Sequence, residues 1–519
     1  MITMWKLLCV LAVCASQIVS GYRILVVFPF PNKSHSILGH GVVRVLLDAG
    51  HQVTYITNSP MKSSSPNLRQ VDVSDNVNHF PINAFNLETF LQNQIRTDDI
   101  TFFYEAFFVL NKATIANPNV QALMGDPAQE FDLVFVEWMF SELMSGLSAV
   151  YNCPYVWFSS MEPHWMILEL IDEALNPAYT TEIMSLNSAP LTFTERVSEL
   201  YGQLHTKAYK AIHYDSLERQ AYEKGFGPFV AAKGRVLPPW EDVKYNASLM
   251  LANAHVSMGE ATRLPQSFKP IGGYHIDPKT APLPQDLQNI MDNASNGVIY
   301  FSMGSTLQSK DLPHEIKTSL LKMFGKLKQT VLWKFEENVP NLPKNVKIIK
   351  WAPQPSILAH PNCILFITHG GLLSTTETIH YGVPTIGIPA FADQFLNVKR
   401  SVKKGIAKMV YLSYNLADEL KEAIEEMIGN PSYRQRVQEL SEVYHDRPAP
   451  PAAELAHWVR HVIRTRGAPH LRSPALLVPW YQKLYLDLAA VVFVVIALLF
   501  VVVKRCLLCL VSSEKVKKS

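Results

Sequence analysis

Short runs of β-branched and aromatic residues alternate with segments of helical spacing twice along this 519-residue chain, and that alternation allows few folds. Arg23 to Phe28 is the first such run. Ile37 to Ala49 has helical spacing, Gly50 stops it, and Val53 to Thr57 is extended again. A strand, a helix and a second strand in succession imply a parallel pair, because a parallel crossover needs about a helix's length of chain. Phe131 to Val136 and Tyr155 to Phe158 read as later strands of the same sheet. A second series begins at Val298, with candidate strands at 298–302, 330–335, 346–350, 364–368 and 384–388. The stretch 259–286, rich in proline and glycine, separates the two series and reads as a linker. The pattern predicts an α/β chain of two doubly wound parallel sheets, in which ligands bind at the carboxyl ends of the strands.

The two ends carry a different signal. Leu7 to Val19 is an apolar run preceded by Lys6 and followed by the small residues Ser20-Gly21, the pattern of a secretory signal peptide over 1–21. A buried first strand or an uncleaved anchor is the alternative. Near the other end, a transmembrane helix is expected over 486–503, with an uncharged run from Leu488 to Val503. Trp480, Tyr481 and Tyr485 suit one membrane interface and Lys504 and Arg505 the other, so the tail 504–519 is expected in the cytosol. The closing Lys515-Val516-Lys517-Lys518-Ser519 resembles a dilysine retrieval signal. The formal net charge of +2 offers no basic field for nucleic acid. Of the cysteines, Cys153 and Cys363 fall one in each predicted domain, where two buried free thiols are expected and a disulfide between them is the alternative. Asn246-Ala247-Ser248 and Asn293-Ala294-Ser295 are glycosylation sequons, with Asn246 and Asn293 as acceptors. Asn32-Lys33-Ser34 also fits, but a glycan there would crowd His35.

Most of the chemistry is concentrated in one stretch. It reads Trp351-Ala352-Pro353-Gln354, then Thr368-His369-Gly370-Gly371-Leu372-Leu373-Ser374-Thr375-Thr376-Glu377, then Gly382-Val383-Pro384 and Asp393-Gln394. A flat indole can stack on a base. Two glycines let the backbone approach a diphosphate where a helix begins, and free N–H groups at that helix start favour anions. A carboxylate can accept both hydroxyls of a ribose, as in dinucleotide-binding folds. Each residue has a plainer use as well. Trp351 would serve as core packing, and Ser374-Thr375-Thr376-Glu377 fits a helix capping box that needs no ligand. Their presence together favours the ligand reading.

These residues resemble the signature of the membrane-bound UDP-glycosyltransferases of animals, the insect-like branch in particular. The resemblance runs from Ser34-His35, through Asp446-Arg447-Pro448, to Gly467-Ala468-Pro469-His470-Leu471-Arg472 and the C-terminal anchor, nearly the whole chain. It implies the glycosyltransferase B architecture, two Rossmann-like domains facing a cleft plus one C-terminal transmembrane helix. Residues 22–258 would bind the acceptor and 287–445 the UDP-sugar, while helices in 446–479 would cross back onto the first domain. By the same resemblance Trp351 stacks on uracil and Gln354 holds the ribose region. His369, with the backbone around Gly371 and Ser374, takes the diphosphate, and Glu377 takes the ribose hydroxyls. Asp393 and Gln394 read the sugar, and Gly304-Ser305 lie beside the phosphates.

Transfer needs a base to take the acceptor's hydroxyl proton, and a histidine titrates in the right range. The family's base falls on His35, in the loop after the first strand; His40 and His51 are the nearby rivals. The family orients that base with an aspartate, where this chain has Glu137. One extra methylene either reaches His35 or leaves the pair misaligned. The resemblance therefore implies a single inverting displacement without metal or cofactor, the UDP-sugar being a co-substrate. Glucose is the expected sugar, with glucuronate the alternative, and the expected acceptor is a small lipophilic phenol or steroid to be detoxified or inactivated. The expected location is the endoplasmic reticulum membrane, as a single-pass type I protein with luminal catalytic domains. A non-catalytic membrane protein binding a UDP-sugar or an apolar ligand is the contrasting reading, and both a single chain and a homo-oligomer fit the sequence.

Overall fold

The computed structural model describes residues 21–81, 86–92, 100–187 and 189–516. The expected signal peptide, but for Gly21, and the last residues of the dilysine tail lie outside them. Two parallel sheets organise the rest. The first contains β1 (Arg23–Phe28), β2 (Gln52–Thr57), β3 (Leu68–Asp72), β4 (Leu133–Glu137), β5 (Tyr155–Ser159), β6 (Met250–Ala252) and β7 (Phe268–Pro270), in the order β3-β2-β1-β4-β5-β6-β7. The second contains β8 (Val298–Ser302), β9 (Thr330–Lys334), β10 (Val346–Ile349), β11 (Cys363–Thr368), β12 (Thr385–Gly387) and β13 (Ala407–Met409), in the order β10-β9-β8-β11-β12-β13. The two-sheet α/β fold read from the alternation is therefore the fold observed. Central strands such as Leu133–Glu137 and Val298–Ser302 are buried at every residue because helices cover both faces.

Each sheet reverses its winding once, between β1 and β4 in the first and between β8 and β11 in the second. At these switch points the strand ends splay and leave a crevice. Helix α1 (Lys33–Asp48) starts directly after β1, and its first turn is capped by Asn32, whose side chain accepts from the Ser34 N–H. Gly39 and Gly41 let α1 lie close on the sheet: a Cβ at Gly39 would sit 2.2 Å from the Tyr55 hydroxyl. Gly50, at φ +84°, then turns the chain into β2.

Among the further helices are α2 (Ile100–Ala116), α3 (Gln354–Ala359), α4 (Leu372–Tyr381), α5 (Gln394–Lys403), α6 (Ser432–His445), α7 (Pro451–Arg464) and α8 (Leu486–Val516). Leu455, Ala456, Val459 and Val462 of α7 are buried in the same cluster as Val26, Phe28, Leu38 and Val42 of the first sheet and α1. The end of the chain thus helps build the core around its beginning.

Three readings of the sequence change. The stretch 259–286 is not all linker, because it contains β7, which pairs with β6. Pro270 is tolerated there since β7 is an edge strand, where no further ladder needs its missing N–H. The apolar helix is also longer than 486–503: its membrane-length segment runs from Leu486 to Cys509 with none of it buried in the body. Leu507, Leu508 and Cys509 continue the helix beyond Lys504 and Arg505, so its length exceeds the ~20 residues a bilayer requires. Finally, Ser374 to Glu377 do not form a capping box. Helix α4 begins at Leu372 with Gly371 as its N-cap and no side-chain cap, which puts Glu377 on the second turn. Cys153 and Cys363 are both free thiols.

Candidate active site

The two crevices open into one cavity of about 510 Å³. Residues of both sheets line it, among them His35, Trp351, His369, Glu377 and Asp393.

On the first sheet, His35 lies in the opening turn of α1 and Glu137 is the last residue of β4, so the switch point itself brings them together. His35 Nδ1 and Glu137 Oε1 are 2.6 Å apart. The question left open by the longer glutamate is answered by this contact: the carboxylate reaches the ring. Glu137 is fully buried at its side chain, and its Oε2 has no hydrogen-bond partner among the described residues. Burial pushes its carboxyl pKa up, and the neighbouring imidazole opposes that shift. A carboxylate accepting from Nδ1–H leaves Nε2 as the ring's free acceptor. The Phe30 ring packs against the imidazole in a T-shaped pair, 4.7 Å between centroids.

The rival histidines are engaged elsewhere. His40 Nε2 contacts the Ser59 carbonyl at 2.9 Å. His51 is buried and accepts from the Tyr22 N–H, and burial lowers its pKa. Neither lines the cavity.

On the second sheet, the groups are held by close packing of backbone. Gly304 follows β8 at φ +91°, and Gly370 follows β11 at φ +81°. Against Gly304 and Gly371 packs the half-buried imidazole of His369. A Cβ at Gly304 would come within 2.5 Å of its Cε1, and one at Gly371 within 2.5 Å of its Nε2. The glycines are therefore required by the histidine as well as by any ligand. Burial, helped by the charge of Lys334, lowers the His369 pKa to about 4, so the ring is neutral near pH 7 and can donate one N–H. The uncapped N–H groups of α4 open beside it.

Gln354, at the start of α3, donates from Nε2 to Glu377 Oε2 at 2.5 Å and to Ser374 Oγ at 3.2 Å, while its Oε1 accepts from the Tyr300 hydroxyl at 3.2 Å. Burial raises the Glu377 carboxyl to about 7 against the opposing bond from Gln354. Trp351, in the loop after β10, remains 52% exposed and is a wall of the cavity rather than core. Asp393 accepts from Asn397 Nδ2 at 2.8 Å; burial raises its pKa, while the Asn397 bond and the charge of His35 across the cleft lower it. Gln394 Oε1 accepts from the N–H groups of Ala390 and Phe391, which leaves its amide nitrogen available. Ser305 lines the cavity next to Gly304. Asn246 and Asn293 are both exposed and neither lines the cavity; Asn246 is bonded by Arg472, and Asn293 Nδ2 donates to the Asn289 carbonyl at 2.7 Å.

Sequence reasoning missed several wall residues. Lys334 ends β9 and donates to the Gly304 carbonyl at 2.8 Å and to Glu336 at 2.9 Å. A lone lysine closing a run of buried residues was the available signal. Phe80, Phe103 and Phe107 line the apolar part of the cavity and belong to residues 79–110, a stretch rich in Phe and Tyr, but Met139, Met161 and Met184 come from segments with no distinguishing pattern.

The family model described as "UDP-glucoronosyl and UDP-glucosyl transferase" matches residues 23–519. The chain is 31% identical over 489 residues to UDP-glycosyltransferase UGT5 of Dactylopius coccus, covering 93% of this chain and 91% of that one. It is 30% identical over 515 residues to UDP-glucosyltransferase 2 of the same organism, covering 96% of each. Human UDP-glucuronosyltransferase 2B7 is 28% identical over 487 residues, covering 89% of each. Among solved structures, the calicheamicin glycosyltransferase CalG4 superposes with a TM-score of 0.54 at 19% identity, over 86% of this chain and all of that one, a likeness of fold.

Proposed function

Since the chain belongs to the UDP-glucuronosyl and UDP-glucosyl transferase family, we propose that it transfers glucose from UDP-glucose to a hydroxyl of a small lipophilic acceptor, with inversion. The observation that carries this reading is the confrontation of His35 and Glu137 with His369, Asp393 and the open start of α4 across one cavity. In the proposed step the acceptor hydroxyl gives its proton to His35 Nε2 while its oxygen attacks the anomeric carbon. The bond from that carbon to the diphosphate oxygen breaks, and UDP leaves with the electron pair. An α-linked donor so gives a β-glycoside. Glu137 holds the ring by Nδ1 and stabilises the imidazolium that forms.

The donor would lie with its base on Trp351, its ribose hydroxyls on Glu377 with Gln354 nearby, and its diphosphate against His369, Gly371, Ser374 and the Gly304-Ser305 loop. Asp393 and Gln394 would face the sugar hydroxyls. Neutral donors and Lys334 offset the diphosphate charge, so transfer is proposed to need neither metal nor cofactor. Phe80, Phe103, Phe107 and the three methionines give the acceptor an apolar wall, which suits phenols and steroids. The apolar helix Leu486–Cys509 supports a single-pass anchor, with the body proposed to lie in the lumen of the endoplasmic reticulum and to detoxify or inactivate its acceptors. UDP-glucuronate is the second donor to consider, because relatives named for glucuronosyl transfer match at nearly the same identity.

Full-length protein in microsomes, supplied with UDP-glucose or UDP-glucuronate and a panel of phenols and a steroid, tests the reading. Release of UDP that depends on UDP-glucose and on acceptor is expected. Release with UDP-glucuronate alone would change the sugar. Donor binding without release for any acceptor would replace transfer with a binding role.

A further inference from the structure

The turn that carries His35 also reaches the opposite sheet. Asn32 Nδ2 donates to Thr306 Oγ1 at 2.7 Å, and the Lys33 ammonium lies 3.2 Å from the centroid of the Trp351 indole. Asn32 and Lys33 follow β1, Thr306 follows β8 and Trp351 follows β10, so both contacts cross the cleft. Trp351 lines the cavity and Lys33 does not. The cavity thus reaches the indole but not the ammonium.

Charge around this ring is unbalanced. Lys334 Nζ is 5.8 Å from the same centroid, and it is matched by Glu336. Lys33 has no carboxylate and no hydrogen-bond acceptor among the described residues. Its own partial burial, and then the charge of Lys334, push its pKa below the usual lysine value. Holding a second ammonium there is uphill in the free protein, and an exposed lysine has open solvent as its alternative. The indole face offsets part of that cost. A diphosphate arriving beside Gly304 and His369 would offset the rest.

We propose that Lys33 is a positioning residue for the donor, supplied by the acceptor side: it braces the Trp351 indole and adds a positive charge that the donor diphosphate satisfies. Lys33 is two residues from His35, so the same contact holds the turn of the base against the bound donor. The proposal rests on the reading of the cleft as a UDP-sugar site.

The test uses full-length protein with Lys33→Met, which keeps the stem and removes the charge, and Lys33→Arg, which restores a cation able to stack. Steady-state KM values are measured for the donor that supports turnover and for one acceptor, with inhibition constants for UDP and for uridine. Lys33→Met is expected to raise the donor KM and the UDP inhibition constant about 3- to 10-fold, the uridine constant by less, and the acceptor KM not at all. Lys33→Arg should return the donor KM to within about twofold of the unsubstituted value. An unchanged donor KM in Lys33→Met, equal changes for donor and acceptor, equal changes for UDP and uridine, or no rescue by arginine would each overturn it. UDP binding to the unsubstituted protein separates the two failures. Its absence sinks the UDP-sugar reading itself, whereas its presence with unchanged Lys33→Met constants sinks only the role of Lys33.

Discussion

The two halves of the cleft are built in opposite ways. The half on the second sheet comes almost entirely from one stretch, Trp351 to Gln394, with contributions from Gly304, Ser305 and Lys334 at neighbouring strand ends. Its parts are fixed by backbone: two glycines at positive φ, a third that makes room for an imidazole, and a helix whose first N–H groups are left open. The half on the first sheet is gathered from Phe30, His35, Phe107, Met139, Met161 and Met184, which are far apart in the chain. Its His35–Glu137 pair is held by a short polar contact, while Phe30, Phe107 and the methionines present apolar surface. A common nucleotide can be recognised by a fixed local device. A variable acceptor suits walls of side chains that alter without moving the backbone.

Four substitutions bear on that contrast, beginning with the one of largest effect. His35→Ala should lower kcat by about 10²- to 10⁴-fold while UDP affinity stays within twofold, measured by turnover and by UDP titration of the same preparation. A parallel loss of UDP binding would mean that the halves are not separable. Leu455→Ala removes a fully buried side chain of α7 from the core of the first sheet and should destabilise the protein by about 2–5 kcal/mol, read by thermal melting. Saturating UDP should raise the melting temperature of this variant and of the unsubstituted protein alike, if the donor half is intact in both.

Glu137→Gln keeps the shape of the side chain but removes the charge that stabilises an imidazolium. A loss in kcat on the order of 10²-fold is expected, with little change in acceptor KM; unchanged kcat would show that the 2.6 Å contact only fixes the ring. The smallest effect concerns pH. With the Glu377 carboxyl raised to about 7, the acceptor form that ribose hydroxyls need is lost as pH falls through 7. UDP should therefore bind more tightly at pH 8 than at pH 6, by up to about 10-fold, and Glu377→Gln should bind weakly with that dependence gone. Titration by calorimetry across this range settles the sign, and a dependence that survives the substitution would place the titrating group elsewhere.

What could be read from the sequence follows the same divide. Strands such as 298–302 and 364–368 were legible because buried parallel strands are written as continuous apolar runs, and the motif after them was legible because its parts are neighbours in sequence. Ser374 to Glu377 fit a capping box because that motif is defined by spacing alone, whereas the helix starts after Gly371, three residues before Ser374, where the turn through Gly370 ends. Phe268–Pro270 was hidden because prolines ordinarily interrupt strands, and only its edge position makes it a strand. Whether Glu137 reaches His35 depends on the spacing of β1 and β4 at the switch point, which no local pattern encodes. The methionines of the apolar cavity wall are ordinary core residues until the fold leaves one of their faces open.

The packing of α7 on the first sheet bears on how such a chain is made. Translation delivers β1 and α1, with Val26, Phe28, Leu38 and Val42, long before it delivers Leu455, Val459 and Val462, which complete their buried cluster. The first domain therefore waits, with part of its apolar face unsheltered, while the whole of the second is synthesised and begins to fold. Its completion comes only when the segment just ahead of the apolar helix Leu486–Cys509 emerges. A chain cut short between Gln394 and α7 would carry the whole Trp351–Gln394 motif and still present an unfinished surface to chaperones and proteases. The integrity of the beginning is verified by the arrival of the end.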